Sequence, residues 1–598
     1  MRFRKIATLA ALGVVAAGLA VGSATAGSAR STASIQAAPA FSSQLLSYPG
    51  ADWMTTGGNL WNQHYSSLDQ INTSNVQNLK LAWTQMIHGT TGAELEGSPL
   101  VYKGVMYIAT GEGDLAAVDA ATGQVIWKTM TKVPLANSFG INAQRGVALG
   151  AGKIFMGQND GSLGAWDQRT GKLLWTRTIN LGKFDNFLSP AAPTYYDGVV
   201  YIGMSGGDAS ARGKMMAFDA ETGQVRWQFF TIPAPGEPGS GSWPVGTTEW
   251  QSGGAAPWTW SAIDPTLGLI YFTTGNAGPY SGRGPGDNLF TSSVLALDYK
   301  TGQYRWHYQA IHHDVWDYDC PATPTLFDGK IRGAAKMGLV ITCKTGYAYV
   351  LDRITGKPLV GIPERRVPGG AGAVFQNASK TQPIPVGDNF APIKANPKSW
   401  AGPAPDGKPY KIGGLFSAYG PDEFVAVRPG LTGGGDWPNM SYDRNRQSVF
   451  ICAQASQASF KAVPGADGKK SAAGFNAYQS GVPKALPGEE LGSFTAMNVA
   501  KNKIAWRHKF TTGACYSGSV ATAGNLVMVG TTDGVFHVYN SGTGEELLSQ
   551  KLKYPISAPP ITYAVKGKQY IALDDGGQAS LLGGAKTKKD LMYSWTLG

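Results

Sequence analysis

Along this chain, short runs that alternate apolar and polar residues are punctuated by Asp, Thr and Gly, which predicts β-strands joined by tight turns. One pattern returns: an alternating strand, then Ala-x-Asp-x-x-Thr-Gly, then a second strand that reaches Trp. Copies end their first strand at Asp119, Asp167, Asp219, Asp298 and Asp352, with Thr-Gly at 122–123, 170–171, 222–223, 301–302 and 355–356. Degenerate copies stand at Asn498 and at Asn540, the latter followed by Thr543-Gly544. Asp or Asn opens a turn by accepting from its own backbone and Gly supplies a positive φ, so each copy predicts a hairpin. The Trp that follows offers a flat face for packing on the neighbouring unit.

Such sheets cannot bury both faces alone and must stack on one another, the logic of a propeller or solenoid. The turn residues are spaced by 48, 52, 79, 54, 146 and 42. Each of the two long gaps is expected to hide one further unit, around Ile263-Asp264-Pro265 and Tyr442-Asp443-Arg444, and Leu81-Ala-Trp83 is expected to supply an outer strand that closes the ring. The fold class expected is therefore all-β, an eight-bladed β-propeller forming one domain over 27–598. Gly/Pro-rich insertions interrupt it near 231–256 and 362–435, the second a mouth, a docking surface or a solvated excursion.

Composition supports a globular chain: of 598 residues 43% are apolar and 15% charged, which excludes disorder and a coiled coil. The formal charge is +11, three of it in Arg2, Arg4 and Lys5 ahead of an apolar run from Ile6 to Val21 and an Ala24-Thr-Ala26 cleavage signal. Residues 1–26 thus read as an export signal, with a periplasmic mature chain lacking a membrane span. Basic residues form no runs, which speaks against nucleic-acid binding. Cys320, Cys343, Cys452 and Cys515 permit two disulfides or remain buried thiols, and no CxxCH is present for a covalent haem.

One segment has no place in the repeat. From Ile311 to Pro321 it crowds Asp314, Asp317 and Asp319 with His312 and His313. Carboxylates so close repel unless a proton or cation neutralises them, and a hard cation with oxygen ligands is their natural partner. Gly203 to Gly207 satisfies GxSxG, but a strand follows it where a nucleophile elbow needs a helix.

The Thr-Gly-to-Trp repeats, Thr274-Gly-Asn276, the His-Asp-x-Trp-Asp-Tyr-Asp string at 313–319 and Lys344-Thr-Gly-Tyr-Ala-Tyr together resemble the pyrroloquinoline quinone (PQQ)-dependent dehydrogenases, the quinoprotein alcohol dehydrogenase family, from about Asp52 to the C-terminus. The resemblance implies a propeller with PQQ and a metal ion on its axis. It implies Asp317 as catalytic base; Asp208, Asn276, Asp317 and Asp319 as metal ligands; and Trp258 as aromatic floor for the quinone. Arg145 and Lys344 would be cationic contacts, Glu96 a polar contact, and Ser205-Gly206-Gly207 a backbone cradle.

Calcium is the expected metal, with a lanthanide ion as the alternative suggested by Asp319. The sequence departs from the family's usual residues in several places: Asp208 stands for a Glu, Asp436 for an amide beside the ring, Pro190 for a hydroxyl, and Phe139-Gly140 for an adjacent-cysteine pair. The implied reaction is oxidation of an alcohol, with electrons leaving to a separate carrier, a soluble cytochrome c. Sugar or polyol oxidation and a non-catalytic envelope scaffold are the alternative readings.

Overall fold

The repeated turn folds as its residues dictate. In the computed structural model, which describes residues 35–87, 94–131, 133, 143–179, 191–207, 211–278, 283, 285–369, 378–462, 478–483, 486–576 and 591–598, Asp119 Oδ1 accepts from Ala121 N and Thr122 N at 3.0 Å each. Asp167, Asp219, Asp298 and Asp352 do the same, as do the amide oxygens of Asn498 and Asn540. The glycine has two reasons to be there. Gly302 takes φ +72°, and a β-carbon on it would lie 2.7 Å from the indole of Trp227 in the preceding copy. Trp227 also donates from Nε1 to Tyr299 O at 3.0 Å. Trp83 meets Gly123, Trp127 meets Gly171, Trp306 meets Gly356 and Trp506 meets Gly544 in the same way, so each tryptophan docks its unit onto the next.

Four-stranded antiparallel sheets follow in succession: Leu100–Tyr102 to Val125–Thr129, Ala148–Gly150 to Leu173–Thr178, Thr194–Tyr196 to Val225–Phe230, and Ala262–Asp264 to Tyr304–Gln309. A three-stranded sheet spans Thr325–Ile331 to Ala348–Asp352. Next come Ser441–Asp443, Ser448–Gln454, Gly492–Asn498 and Lys503–Phe510 in one sheet, and Cys515–Thr522 to Glu546–Lys551 in another. The last sheet joins both ends of the chain, Leu79–Met86 pairing with Leu591–Leu597 so that Leu81 faces Trp595. The outer closing strand is thus where the sequence placed it, and the architecture is an all-β propeller.

Among the described residues the two long gaps hold no further sheet of this kind. The turn at 263–265 joins the first two strands of the same sheet whose last turn is the Asp298 copy. The turn at 442–444 stands in the same relation to the Asn498 copy. An Asp-centred turn forms at either edge of a sheet by the same bonding, so the signal does not distinguish them. The gaps are filled by the insertions, the first with short 3-10 turns at Ser240–Ser242 and Glu249–Gln251. The second carries Glu364–Arg366 paired with Thr381–Pro383, and a small sheet that begins with Lys411–Ile412 and Val425–Val427.

Residues 53–66 tie sheets from around the ring together. Trp53 bridges to Val101, Thr56 donates to Val147 O at 3.2 Å, and Ile263 N, Leu326 N, Tyr442 N and Ala521 N donate to the carbonyls of Leu60, Trp61, Gln63 and His64. The alternatives left open for the cysteines resolve as two disulfides, Cys320–Cys343 and Cys452–Cys515. Among the described residues no helix is long and apolar enough to cross a membrane. The export signal expected at 1–26 lies outside the described residues, as do Phe139-Gly140 and Pro190.

Candidate functional site

The residues singled out in the sequence sit on loops at the ends of the sheets, and most of them meet. Strands Glu94–Leu95 and Ala143–Gln144 pair in parallel, which brings the next residues of each together: Arg145 Nε lies 2.7 Å from Glu96 Oε2, both buried. The Arg145 guanidinium lies over the face of Trp258, 4.6 Å from the ring centroid. From its ring edge Trp258 Nε1 donates to Asp319 Oδ2 at 3.3 Å.

Lys344 Nζ bridges two carboxylates, Asp317 Oδ1 at 3.0 Å and Asp319 Oδ1 at 2.9 Å. The two segments are fastened twice more, by Lys344 N donating to Asp319 O at 3.0 Å and by the disulfide between the residues beside them, Cys320 and Cys343. A glycine run at the end of the second insertion wraps the lysine: Gly434 N donates to Lys344 O at 2.8 Å, and a β-carbon on Gly433 would lie 2.3 Å from Lys344 Cβ. That wrap delivers Asp436, whose Oδ2 accepts from Tyr516 OH at 3.3 Å.

Asn276 is buried and donates from Nδ2 to Ala277 O at 3.1 Å. Its neighbour Gly275 touches the cluster, since a β-carbon there would sit 3.3 Å from both Asp319 Oδ2 and Trp258 Nε1. Gly207 packs against Ala256, two residues before Trp258 in the chain. Asp208 lies outside the described residues. A cleft of about 850 Å³ is lined by Thr432, which precedes the glycine run, and by Gln454, Asp533 and Lys551 among others.

Asp314, one of the three crowded carboxylates, has a role that the sequence reading does not assign. It is fully buried, and its carboxylate accepts from Trp316 N at 2.9 Å, Tyr318 N at 2.8 Å and Ser292 Oγ at 3.0 Å. These bonds fold residues 314–319 into a tight excursion in which Asp317 takes the left-handed φ of +67°. The signal was present as an Asp two and four residues ahead of backbone donors, a local turn cue hidden among its acidic neighbours.

Electrostatically the cluster is short of positive charge. Among the described residues four carboxylates (Glu96, Asp317, Asp319, Asp436) adjoin two cations, Arg145 and Lys344, in a nearly dry environment. Burial pushes the Asp436 carboxyl up to about 6, against the pull of Lys344 and with help from Asp319. Burial holds Glu96 above the usual carboxylate range although Arg145 pulls it down, and Asp436 adds to the rise. Burial lifts Asp314 to about 6. For Lys344 burial works downward, but Asp317, Asp319 and Asp436 outweigh it and hold the ammonium well above its ordinary value.

Among the described residues no three His, Cys, Asp or Glu side chains converge as a metal cage by themselves. The donor set nonetheless fits a hard cation held jointly with a polyanionic planar cofactor: oxygen donors dominate, negative charge is in excess, and an indole face and two cations adjoin them.

Comparison with known proteins shows the family. The family described as "PQQ: Glucose/ethanol/alcohol dehydrogenase, beta-propeller domain" matches residues 53–497 and 489–571. The chain is 32% identical over 580 residues to the alcohol dehydrogenase (quinone), dehydrogenase subunit, of Gluconobacter oxydans (strain 621H), covering 88% of this chain and 71% of that one. It is 32% identical over 557 residues to the quinohemoprotein alcohol dehydrogenase of Comamonas testosteroni, covering 88% and 72%. The crystal structure of the Comamonas testosteroni enzyme superposes with a TM-score of 0.77 at 31% identity, over 92% of this chain and 81% of that one. A europium-containing methanol dehydrogenase gives 0.75 at 26% identity, over 93% and 99%.

Proposed function

Because the chain belongs to the family of PQQ-dependent alcohol dehydrogenases, we propose that the loop cluster around Trp258 and Lys344 is its active site, seated at one end of a closed eight-bladed propeller that spans residues 27–598. The observation that carries the reading is the convergence of Trp258, Arg145, Lys344, Asp317, Asp319 and Asp436 from loops scattered along the chain.

Trp258 would present the flat surface on which PQQ lies, Arg145 and Lys344 would pair with its anionic edge, and Glu96, Asp436 and the 205–207 backbone would complete its polar surround. Asp208, Asn276, Asp317 and Asp319 would hold the cation, calcium or, with the added carboxylate of Asp319, a lanthanide. When bound, the quinone supplies a two-electron acceptor and the cation a Lewis acid on its carbonyl.

The protein's own part is to orient the alcohol and move its proton. Asp317 is the group that would take the hydroxyl proton, and Lys344 at 3.0 Å pairs with its carboxylate and orients it. Burial of the surrounding loops excludes water from the polar cluster and strengthens each of these interactions. Electrons would leave to a separate carrier, a soluble cytochrome c. The leader at 1–26 would place the enzyme in the periplasm.

The reading is tested by adding PQQ with calcium, and separately with a lanthanide, to purified protein and following dye reduction by a panel of primary alcohols, polyols and sugars. Turnover with primary alcohols is expected; absence of turnover with every substrate and both metals would leave only a scaffold.

A further inference from the structure

Asp317 is held in an unfavourable backbone conformation, φ +67° in a non-glycine residue, and something must enforce it. Asp314 supplies part of the restraint from within the same excursion. The rest comes from the second insertion. Tyr419 OH donates to Val315 O at 2.5 Å. Trp316 Nε1 donates to Ser417 O at 2.8 Å, and Tyr318 OH donates to Pro429 O at 2.9 Å. The residues on both sides of Asp317 are therefore each tied to the stretch 417–429.

Packing reinforces the bonds. The Phe416 ring sets its edge against Trp316 at 5.2 Å and against Tyr318 at 5.6 Å, while those two rings stack at 5.8 Å. Phe416 itself is fully buried with φ +58°, and its carbonyl accepts from Gly369 N at 2.7 Å. Tyr419 is anchored from behind by stacking on Phe460 at 5.2 Å.

We infer that residues 416–419 of the second insertion are a positioning clamp for Asp317, with Tyr419 the positioning residue whose hydroxyl fixes where the carboxylate of Asp317 points. The clamp rests on the proposed role of Asp317 but makes a separate claim, that its placement is imposed from the insertion. None of the clamp side chains needs to touch substrate or cofactor. Misplacing a reacting group by about 1 Å costs roughly a hundredfold in rate, so losing one of several restraints is expected to cost about tenfold.

The test compares Tyr419→Phe and Trp316→Phe with the parent protein. Each variant deletes one donor and keeps an aromatic ring, so if one fails to fold the other carries the test. Hydrogen–deuterium exchange should rise in peptides covering 314–319 and stay unchanged in the sheet at 100–129. In PQQ- and calcium-loaded enzyme kcat should fall about tenfold with KM for the alcohol within twofold. Unchanged exchange at 314–319 overturns the clamp, and so does loosened exchange with parental kcat, which marks a purely structural contact. A parent enzyme without turnover refutes the active-site assignment instead, and exchange then decides the clamp alone.

Discussion

Replacing Asp436 by Asn isolates the electrostatic cost built into the site. Asp436 is 6% exposed, and its carboxyl rises from 3.8 to about 6 on folding because burial penalises the charged form more than Lys344 rewards it. Between those values the unfolded chain has released the proton and the folded chain retains it. Stability is thus fully present below the unfolded value and is lost as pH rises through the folded one. A rise of roughly 2 units corresponds to about 3 kcal/mol lost by neutral pH. Asn is isosteric, still accepts from Tyr516, and cannot ionise, so the metal-free variant should lose about 3 kcal/mol less than the parent between pH 3.5 and pH 7.5. Relief of Glu96, which Asp436 also raises, adds in the same direction. Denaturant unfolding of metal-free protein, followed by tryptophan fluorescence at the two pH values, measures the difference. Saturating calcium should shrink the parental loss, because a cation favours the ionised carboxylates. Parallel stability–pH curves for parent and variant would refute the placement of Asp436 in a buried, charge-deficient cluster.

Asp317→Ala should lower kcat of the loaded enzyme roughly a hundred- to ten-thousandfold with an unchanged melting temperature; undiminished turnover removes it as the base. Asp319→Ala should reduce lanthanide-supported activity more than calcium-supported activity in parallel assays, since a trivalent ion gains more from an extra carboxylate, and equal losses would mean that Asp319 does not select the metal. Gly302→Ala forces a β-carbon to 2.7 Å from Trp227 at φ +72°, and should cost about 2–4 kcal/mol in denaturant unfolding. A loss below about 0.5 kcal/mol would show that the tryptophan docking is loose.

What the sequence made legible divides along the range of the interactions. The Asp-x-x-Thr-Gly turns and the following tryptophans are local bonding repeated many times, and Leu81-Ala-Trp83 carried the same strand-to-Trp signature, so sheet class and ring closure could be read directly. The turns at Ile263-Asp264-Pro265 and Tyr442-Asp443-Arg444 look alike in sequence but join inner strands of sheets already counted, a distinction that only pairing reveals. Trp258, Arg145, Glu96, Asp317, Asp319 and Lys344 were named through family resemblance, and the structure brings them together. The Cys320–Cys343 pairing was not legible, since four cysteines allow three connectivities. Neither was the Tyr419–Val315 bond, because two residues 104 apart leave no periodic trace.

The arrangement also explains how a propeller tolerates a site that works against its own stability. Glu96, Arg145, Trp258, Asn276, Asp317, Lys344 and Asp436 come from loops rooted in different sheets, so no single element bears the repulsion of the buried carboxylates. Six sheet-to-sheet contacts are an indole packed on a turn glycine, from Trp83 on Gly123 to Trp506 on Gly544, and the strand pairing of Leu79–Met86 with Leu591–Leu597 closes the series. The loops are therefore held at their bases whether or not the charges above them are balanced. Excess negative charge gathered on a rigid frame cannot relax by moving apart. It can be relieved only by protonation, as the raised Asp436 and Glu96 carboxyls record, or by a cation entering among them.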